Sequence, residues 1–491
     1  MKRILTTALL LSAMSSVWAG GLLHNTNQSI AWQRMMARGA TNEIDGIYTN
    51  PAGTAFLDHE GWTLSLNIQS ATQSRDALAT FPLFPTEDHT QLYKGKASAP
   101  VIPSLYAAYK RDKWAFSGFF GFTGGGGKCS FERGLPMFDA QVMAGIYSKT
   151  GSLLASQPAL KAIVGADAIT PNMYNINSSM KGRQYIYGFQ LGSAYQFNHH
   201  WSAYLGLRLN YFDGNYVGHV DATIGDALRQ RAQAAMATLS PEQQAAYAPT
   251  VSALSQEGGL THIALDCNQT GWGVTPILGV NYKTGPLTLA AKYEFKTKLS
   301  IENDTKKLEA TAMGQASEEL EKAMQASYGH GVNTPNDLPA VLYVAAGYEI
   351  IPKKLRAAVE YHFYDDKHAG MANDKQKYLT HGTHEVLAGM EWDINRIFTV
   401  SAGFQNTDYG LSDNYQTHTA FSCDSYSLGF GGAVNLSSKL RLNIGYFWTT
   451  YKDYTKVVPA GTPGYCNTTL AGKDVYSRTN KVFGIGVDYK F

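Results

Sequence analysis

The sequence has little charge and, after its first twenty residues, no long apolar run. Charged residues make up 16% of the 491 positions, against roughly 25% in an ordinary soluble domain. A helix that spans a bilayer needs about 20 consecutive apolar residues, so a bundle of such helices is excluded. No G-x-S-x-G motif is present, and the glycine run before Lys128 lacks the spacing of a P-loop. These absences leave no motif-based case for a hydrolase or a nucleotide-binding protein.

The first residues predict export. Lys2 and Arg3 precede an apolar stretch over 4–11, and Val17-Trp18-Ala19 forms a small-residue cleavage site, so we expect a signal peptide over 1–19. Gly20 would then be the new N-terminus. Removing Lys2 and Arg3 from the 41 basic residues leaves 39, equal to the 39 acidic ones, so nothing indicates nucleic-acid binding.

Cysteine is also scarce. The four cysteines are Cys129, Cys267, Cys423 and Cys466, and none has the spacing of a metal ligand pair. In an exported chain an even number is compatible with two disulfides of unassigned pairing, or with free thiols. We expect no metal and no cofactor.

What the sequence has in abundance is glycine and aromatic residues, with 48 Gly, 30 Tyr and 21 Phe. Many segments alternate strictly between apolar and polar residues, which predicts half-buried strands. The last segment, 483–491, alternates up to a terminal Phe491, which resembles the sequence that the barrel assembly machinery of bacteria recognises. A membrane barrel needs an apolar outer face, a polar lumen and aromatic girdles, so this pattern favours an all-β transmembrane barrel.

Turns divide these strands unevenly. Short polar joins are predicted at 111–113, 198–200, 284–286, 352–354, 395–396 and 437–438. Long connections are predicted near 75–96, 124–182, 220–260, 303–337, 366–379, 410–423 and 453–477, with helix-like stretches at 221–240 and 305–327. Six short turns and seven long loops join fourteen antiparallel strands, which would occupy 61–491.

Residues 20–60 do not alternate, yet they carry apolar side chains that need burial, among them Trp32, Ile47 and Leu57. We expect a small hatch folded inside the lumen. The runs Arg38–Asn42 and Asn50-Pro51-Ala52-Gly53, placed between signal peptide and first strand, resemble the hatch of the FadL-type outer-membrane transporters. The layout of hatch, fourteen strands and terminal Phe resembles that family over nearly the whole mature chain.

The resemblance implies uptake of long-chain fatty acids or other hydrophobic molecules through the outer membrane of a Gram-negative bacterium. We expect a multi-pass chain that is a monomer and is surrounded by outer-membrane lipid and lipopolysaccharide. Leu22 and Leu23 would reach an internal pocket. The tripeptide Asn50, Pro51 and Ala52 would act in gating, although by chemistry alone an ordinary turn before a strand explains it better. Gly118 and Gly121 would kink strand three to allow lateral exit, while Gly124–Gly127 favours a loop.

Two further groups are candidates for substrate contact. The helix-like loops present apolar stripes that include Leu228, Met236, Leu320 and Met324, which would form an outer groove or merely pack the loops together. The predicted lumen face carries Arg208, Lys292, Arg356 and Arg441, which could bind a carboxylate or pair with lumen acids such as Glu294.

Two alternatives stay open. An outer-membrane hydrolase of lipid esters would need an activated serine beside a histidine, and the pair His381-x-x-His384 is the nearest candidate base. A general porin would lack a plug. A solvated strand end explains His381 and His384 better than a metal site or a base, so we expect no catalytic residue.

Overall fold

The computed structural model of the chain describes residues 22–312 and 315–491. The expected signal peptide and its cleavage site at Gly20 lie outside these residues. Eighteen strands form one continuous sheet. Their bounds are β1 Gly61–Thr80, β2 Thr90–Arg111, β3 Trp114–Phe131, β4 Tyr174–Gln196, β5 Trp201–Ile224, β6 Thr261–Thr284, β7 Leu287–Glu294, β8 Ser300–Ala312, β9 Gln315–Ala316, β10 Asn333–Pro335, β11 Val341–Ile351, β12 Leu355–Tyr364, β13 Thr383–Asp393, β14 Phe398–Asp408, β15 Ser425–Asn435, β16 Leu440–Tyr451, β17 Tyr454–Val458 and β18 Gly472–Lys490.

The sheet closes on itself. β1 pairs with β2 on one side and with β18 on the other, in an antiparallel register that runs from Thr63 opposite Lys490 to Thr80 opposite Lys473. Fourteen strands make the full circuit, because β8 extends the β7 position along β6 and the short strands β9, β10 and β17 only add to its rim. The predicted fourteen-stranded antiparallel barrel is confirmed.

The barrel is apolar outside and polar inside. On β1 the side chains of Leu64, Leu66 and Ile68 are exposed, whereas those of Ser65 and Asn67 between them are buried. A soluble sheet protein shows the opposite arrangement, since it turns its apolar face toward a core. No helix within the described residues is long and apolar enough to cross a membrane.

The two ends of the barrel differ. All six predicted short turns join consecutive strands at the same end of the barrel, which is called the turn end. The opposite end is called the loop end. The strands β1–β6 are 18–24 residues long, about twice the length of a strand that just crosses a bilayer. Because they extend beyond the membrane at the loop end, the loops there are shorter than the sequence predicted. The first loop, for example, covers only the residues between Thr80 and Thr90, because both strands keep pairing up to that point.

The helices lie in the hatch and at the loop end. They are α1 Ile30–Met35, α2 Gly46–Thr49, α3 Pro136–Ser156, α4 Pro158–Val164, α5 Asp226–Met236, α6 Pro241–Ser255 and α7 Glu318–Tyr328, with short 3-10 helices at Pro51–Phe56, Pro171–Met173, Asp366–His368, Ala372–Tyr378 and Tyr465–Asn467. The helix predicted over 305–327 is wrong in its first half, because Leu308 and Ala312 belong to β8, which pairs with β6. The long helix α3 was not predicted.

Candidate functional site

Residues 22–60, called the hatch, occupy the lumen. Nearly every hatch residue from Leu22 to Leu57 is buried, including the indole of Trp32 and the ring of Tyr48. Ser29 begins α1, and its hydroxyl accepts a hydrogen bond from the backbone amide of Trp32 at 3.0 Å. The lumen glycines fit this packing closely. A Cβ on Gly389 or Gly403 would lie within about 2 Å of the Met35 carbonyl oxygen.

An ion pair fixes the centre of the hatch. The fully buried Arg34 guanidinium contacts the Glu391 carboxylate on β13 and donates to Ser401 Oγ at 2.9 Å. Within the hatch, Arg38 bonds to Asp45 at 2.7 and 2.8 Å. Because a buried charge needs a partner, these contacts tie the plug to one wall position.

The Asn-Pro-Ala segment contacts another part of the wall. Asn50 donates from its side chain to the Thr41 carbonyl at 2.9 Å and to Asn281 Oδ1 at 2.8 Å, and its Oδ1 accepts from the Gly53 amide. Pro51 is the first residue of the 3-10 helix that follows. The Ala52 carbonyl accepts from Ser202 Oγ at 2.7 Å. The tripeptide is thus a local cap that also holds the hatch to β5 and β6.

The predicted lumen bases all have protein partners. Arg208 makes a bidentate pair with Glu294 at 2.7 and 2.8 Å, and Lys292 donates to Glu294 at 2.8 Å and to the Tyr48 carbonyl at 2.7 Å. Arg356 contacts Glu391 and Asp393, and Arg441 lies 3.2 Å from Glu43 of the hatch. The pairing with Glu294 is the alternative that the sequence left open, and a substrate carboxylate would have to displace such a partner.

The wall has a gap between β2 and β3. These strands pair from Arg111 opposite Trp114 to Leu105 opposite Phe120, and again from Ser98 opposite Lys128. Between these points, 99–104 and 121–127 do not pair with each other, although β3 keeps pairing with β4 through two register shifts. The hydrogen-bonded wall of the barrel is thus interrupted at this point.

The glycines lie differently from the prediction. Gly118 pairs regularly with Ala107 and Leu191, so it marks no irregularity in the ladder. Gly121 stands at the edge of the gap. Gly124–Gly127, predicted as a loop, belongs to β3 and borders the gap, and Gly125 has a φ of 84° that favours glycine.

The start of the hatch closes this gap. Asn25 donates from its side chain to the carbonyls of Phe122 and Gly125 at 3.1 and 3.2 Å, and Gln28 donates to Phe122 at 2.8 Å. The backbone amide of Asn25 donates to the Thr123 carbonyl at 2.9 Å. The space left over is about 20 Å³, roughly one water site. The sequence does not mark Asn25 and Gln28 as site residues, since only the hatch's path through the barrel shows what they face.

Leu22 and Leu23 lie just beyond the gap toward the loop end. Leu22 is fully buried with Met371, Leu379, Tyr409 and Tyr415, and Leu23 packs against the same cluster. A Cβ on Gly124 would come within 2.3 Å of the Leu23 carbonyl oxygen. The N-terminal leucines therefore connect the gap to the loops.

A cavity of about 180 Å³ lies at the loop end, between α3, Leu320 of α7 and the loop-side ends of β5 and β6. Its apolar lining comes from Phe138, Val142, Ile146, Val220, Ile263 and Leu320. Of the predicted stripe residues, Leu320 lines the cavity, Leu228 and Met324 pack in the same apolar cluster, and Met236 is half-buried. The stripes therefore pack the loops together and also help to form a cavity.

Asp139 fixes the start of α3 beside this cavity. Its carboxylate accepts hydrogen bonds from Tyr93 at 2.7 Å and from Ser178 at 3.3 Å. Burial raises the pKa of Asp139 to about 6, and the hydrogen bond from Tyr93 opposes this only in part. Its charge thus changes in the mildly acidic range.

The turn end opens into a wider, polar vestibule of about 760 Å³ beneath the hatch. Its wall includes Arg38, Glu43, Arg356 and Arg441. The hatch therefore separates a polar vestibule at one end from an apolar cavity at the other.

The cysteines are free thiols, so the two disulfides considered from the sequence do not form in this structure. His384 shares a hydrogen bond of 2.7 Å with Tyr361, and His381 lies 3.8 Å from Asp408. Among the described residues, no group of three or more His, Cys, Asp or Glu side chains is arranged to hold a metal ion.

These features define a class, the fourteen-stranded β-barrel whose lumen is filled by its own N-terminal segment. Two solved structures match the chain over most of its length. A FadL homologue of Pseudomonas aeruginosa matches with a TM-score of 0.63 at 13% identity, over 96% of this chain and all of that one. The toluene transporter TodX of Pseudomonas putida matches with a TM-score of 0.51 at 15% identity, over 91% of this chain and 94% of that one. At such identities the likeness shows a shared fold. Comparison with protein families gives no match. Comparison with curated protein sequences gives none either.

Proposed function

We propose that this chain is an outer-membrane channel that takes up hydrophobic molecules, with long-chain fatty acids as its substrates. The observation that carries the proposal is the gap between β2 and β3, which the hatch closes with Asn25 and Gln28. A general porin needs no such gap, and it has no plug that fills its lumen. An apolar solute benefits from a sideways exit, because it then enters the bilayer without crossing water.

The proposed path begins at the loop end. A substrate binds in the cavity beside α3, where each methylene removed from water gains about 0.8 kcal/mol. It then passes the cluster around Leu22 and leaves through the gap when residues 25–28 move away. The exposed apolar belt on the outside of the strands supports an exit within the membrane.

A neutral hydrocarbon is the second candidate substrate. The Arg208 and Lys292 side chains already pair with Glu294, so a fatty-acid carboxylate has to compete for them, whereas a neutral molecule does not. The similarity in fold to a toluene transporter is compatible with this alternative.

Uptake in cells tests the proposal. A Gram-negative strain without its own fatty-acid transporter, supplied with this chain, should take up labelled oleate faster than the strain with an empty vector. Ile146→Asp places an unpaired carboxylate in the apolar cavity, whereas the neighbouring Tyr147 is about half exposed, so Tyr147→Asp is the matched control. We expect the first variant to slow uptake at limiting oleate and the control to resemble the parent. Oleate uptake equal to the empty vector, with faster toluene uptake, would instead support the neutral substrate.

A further inference from the structure

Five basic residues lie on the outer face of three neighbouring strands. They are Lys94 and Lys96 on β2, Lys128 on β3, and Lys181 and Arg183 on β4, called here the basic patch. The four lysines are exposed, and Arg183 is half-exposed. Their strand neighbours Tyr93, Ala97, Cys129 and Gln184 are buried, so the alternation of each strand turns the five charges away from the lumen.

The strand register brings these residues together. Lys128 stands opposite Ser98 on one side and Arg183 on the other. One row further toward the loops, Ser130 stands between Lys96 and Lys181. Adjacent strands are about 4.8 Å apart, so the five charged groups lie on one surface roughly 10 Å wide.

Little negative charge balances the patch. Of the five residues only Arg183 forms an ion pair within the described part of the chain, with Asp213 at 2.9 Å. Asp76 stands opposite Lys94 in the register with β1. Such a group of cations on one surface favours a ligand with more than one negative charge.

The position of the patch selects an amphipathic ligand. Directly toward the turn end, the outer face of β3 and β4 becomes aromatic. The ring of Phe122 contacts those of Tyr185 and Tyr187, and the ring of Phe120 contacts that of Phe189. Aromatic side chains of this kind mark the edge of the apolar belt in membrane barrels. A ligand here has its anionic groups on the patch and its acyl chains along the aromatic surface below.

We propose that the basic patch binds the phosphorylated head of lipopolysaccharide in the outer leaflet, an inference that rests on the proposed outer-membrane location. Lys128 and Ser98 form the first regular pair above the gap in the wall. A glycolipid bound to the patch therefore lies directly over the sideways exit, with its acyl chains where a departing substrate enters the membrane.

Binding of purified lipopolysaccharide to the purified, full-length chain in detergent tests this inference. The variant Lys96→Gln/Lys128→Gln/Lys181→Gln removes three charges of the patch. The control Lys298→Gln/Lys306→Gln/Lys322→Gln removes three exposed charges from other parts of the loop end. Each lysine near an anionic lipid surface contributes roughly a factor of five, so the patch variant should bind lipopolysaccharide about a hundredfold more weakly, and the control should bind like the parent.

Two further ligands distinguish the sources of phosphate. Lipopolysaccharide from which the phosphates have been removed should bind the parent as weakly as native lipopolysaccharide binds the patch variant. Inorganic phosphate at the same phosphate concentration should not compete. Equal binding by patch variant and parent, or full competition by inorganic phosphate, would overturn the inference. A parent chain that binds lipopolysaccharide but takes up oleate no faster than the empty vector would count against the proposed function and leave the inference standing.

Discussion

The double substitution Asn25→Ala/Gln28→Ala should unseat the start of the hatch while leaving the barrel intact. It removes the three side-chain hydrogen bonds that join the hatch to the carbonyls of Phe122 and Gly125, at 2.8–3.2 Å. The backbone bond from Asn25 to Thr123 remains, as does the bond from Tyr48 to the Asn25 carbonyl. The segment can therefore still reach its seat, but it is held there less firmly.

The size of the effect follows from these bonds. Each contributes about 1 kcal/mol net, so the seated state loses about 3 kcal/mol relative to the displaced state. A difference of 1.4 kcal/mol is a factor of ten, and the displaced state should thus become about a hundredfold more populated.

Brief openings of the purified protein in planar lipid bilayers report this population. We expect the open probability of Asn25→Ala/Gln28→Ala to rise by about two orders of magnitude over the parent. Thr54→Ala is the matched control, because the Thr54 hydroxyl donates to the Pro51 carbonyl within the hatch and not to the gap. If the double variant opens no more often than the parent and the control, the hatch does not close the gap in the way described.

Three other predictions concern the hatch and the loops. Arg34→Met should lower the free energy of unfolding in detergent by about 3 kcal/mol. This is the low end of the loss for a broken buried ion pair, because Arg356 still contacts Glu391. Adding Glu391→Gln should restore part of the lost free energy. In a double-mutant cycle of Asn50→Ala and Asn281→Ala, thermal unfolding should show a coupling of about 1 kcal/mol, and additive losses would contradict their bond. The pKa of Asp139 is higher in the folded state than in the unfolded state, so the folded state binds more protons between pH 4 and 6. The free energy of unfolding should therefore fall as the pH rises through this range. Asp139→Asn should remove this dependence.

The barrel could be predicted from the sequence because its evidence is local. Alternation along a strand such as 483–491 and the polar residues at each short turn are visible in a few consecutive positions. The strands were predicted too short on the loop side. The strands β1 and β2 stay paired where the outer face has already become polar, as at Thr72 and Ser74.

Helices in the loops were harder to predict. The stretch over 305–312 has apolar residues at helical spacing, but β6 offers it an open edge, and pairing decided its structure. The helix α3 begins at Pro136, a favoured first helical residue, and this feature could have indicated it.

The gap in the wall could not be predicted, because it depends on which residues of β2 and β3 stand opposite each other. Glycines at 121 and 124–127 indicated an irregular strand, but not where its pairing stops. The partners of Asn25 and Gln28 lie about a hundred positions away in the chain, and no local pattern connects them.

Photocrosslinking tests the central claim, sideways exit through the wall, most directly. A long-chain fatty acid with a photoreactive group at its methyl end, added to cells that carry this chain, should label residues that border the gap, such as Ile102, Phe122 and Tyr185. Digestion and mass spectrometry then locate the label. Labelling confined to the vestibule at the turn end, around Arg356 and Lys439, would show that the substrate passes along the lumen and would contradict the account.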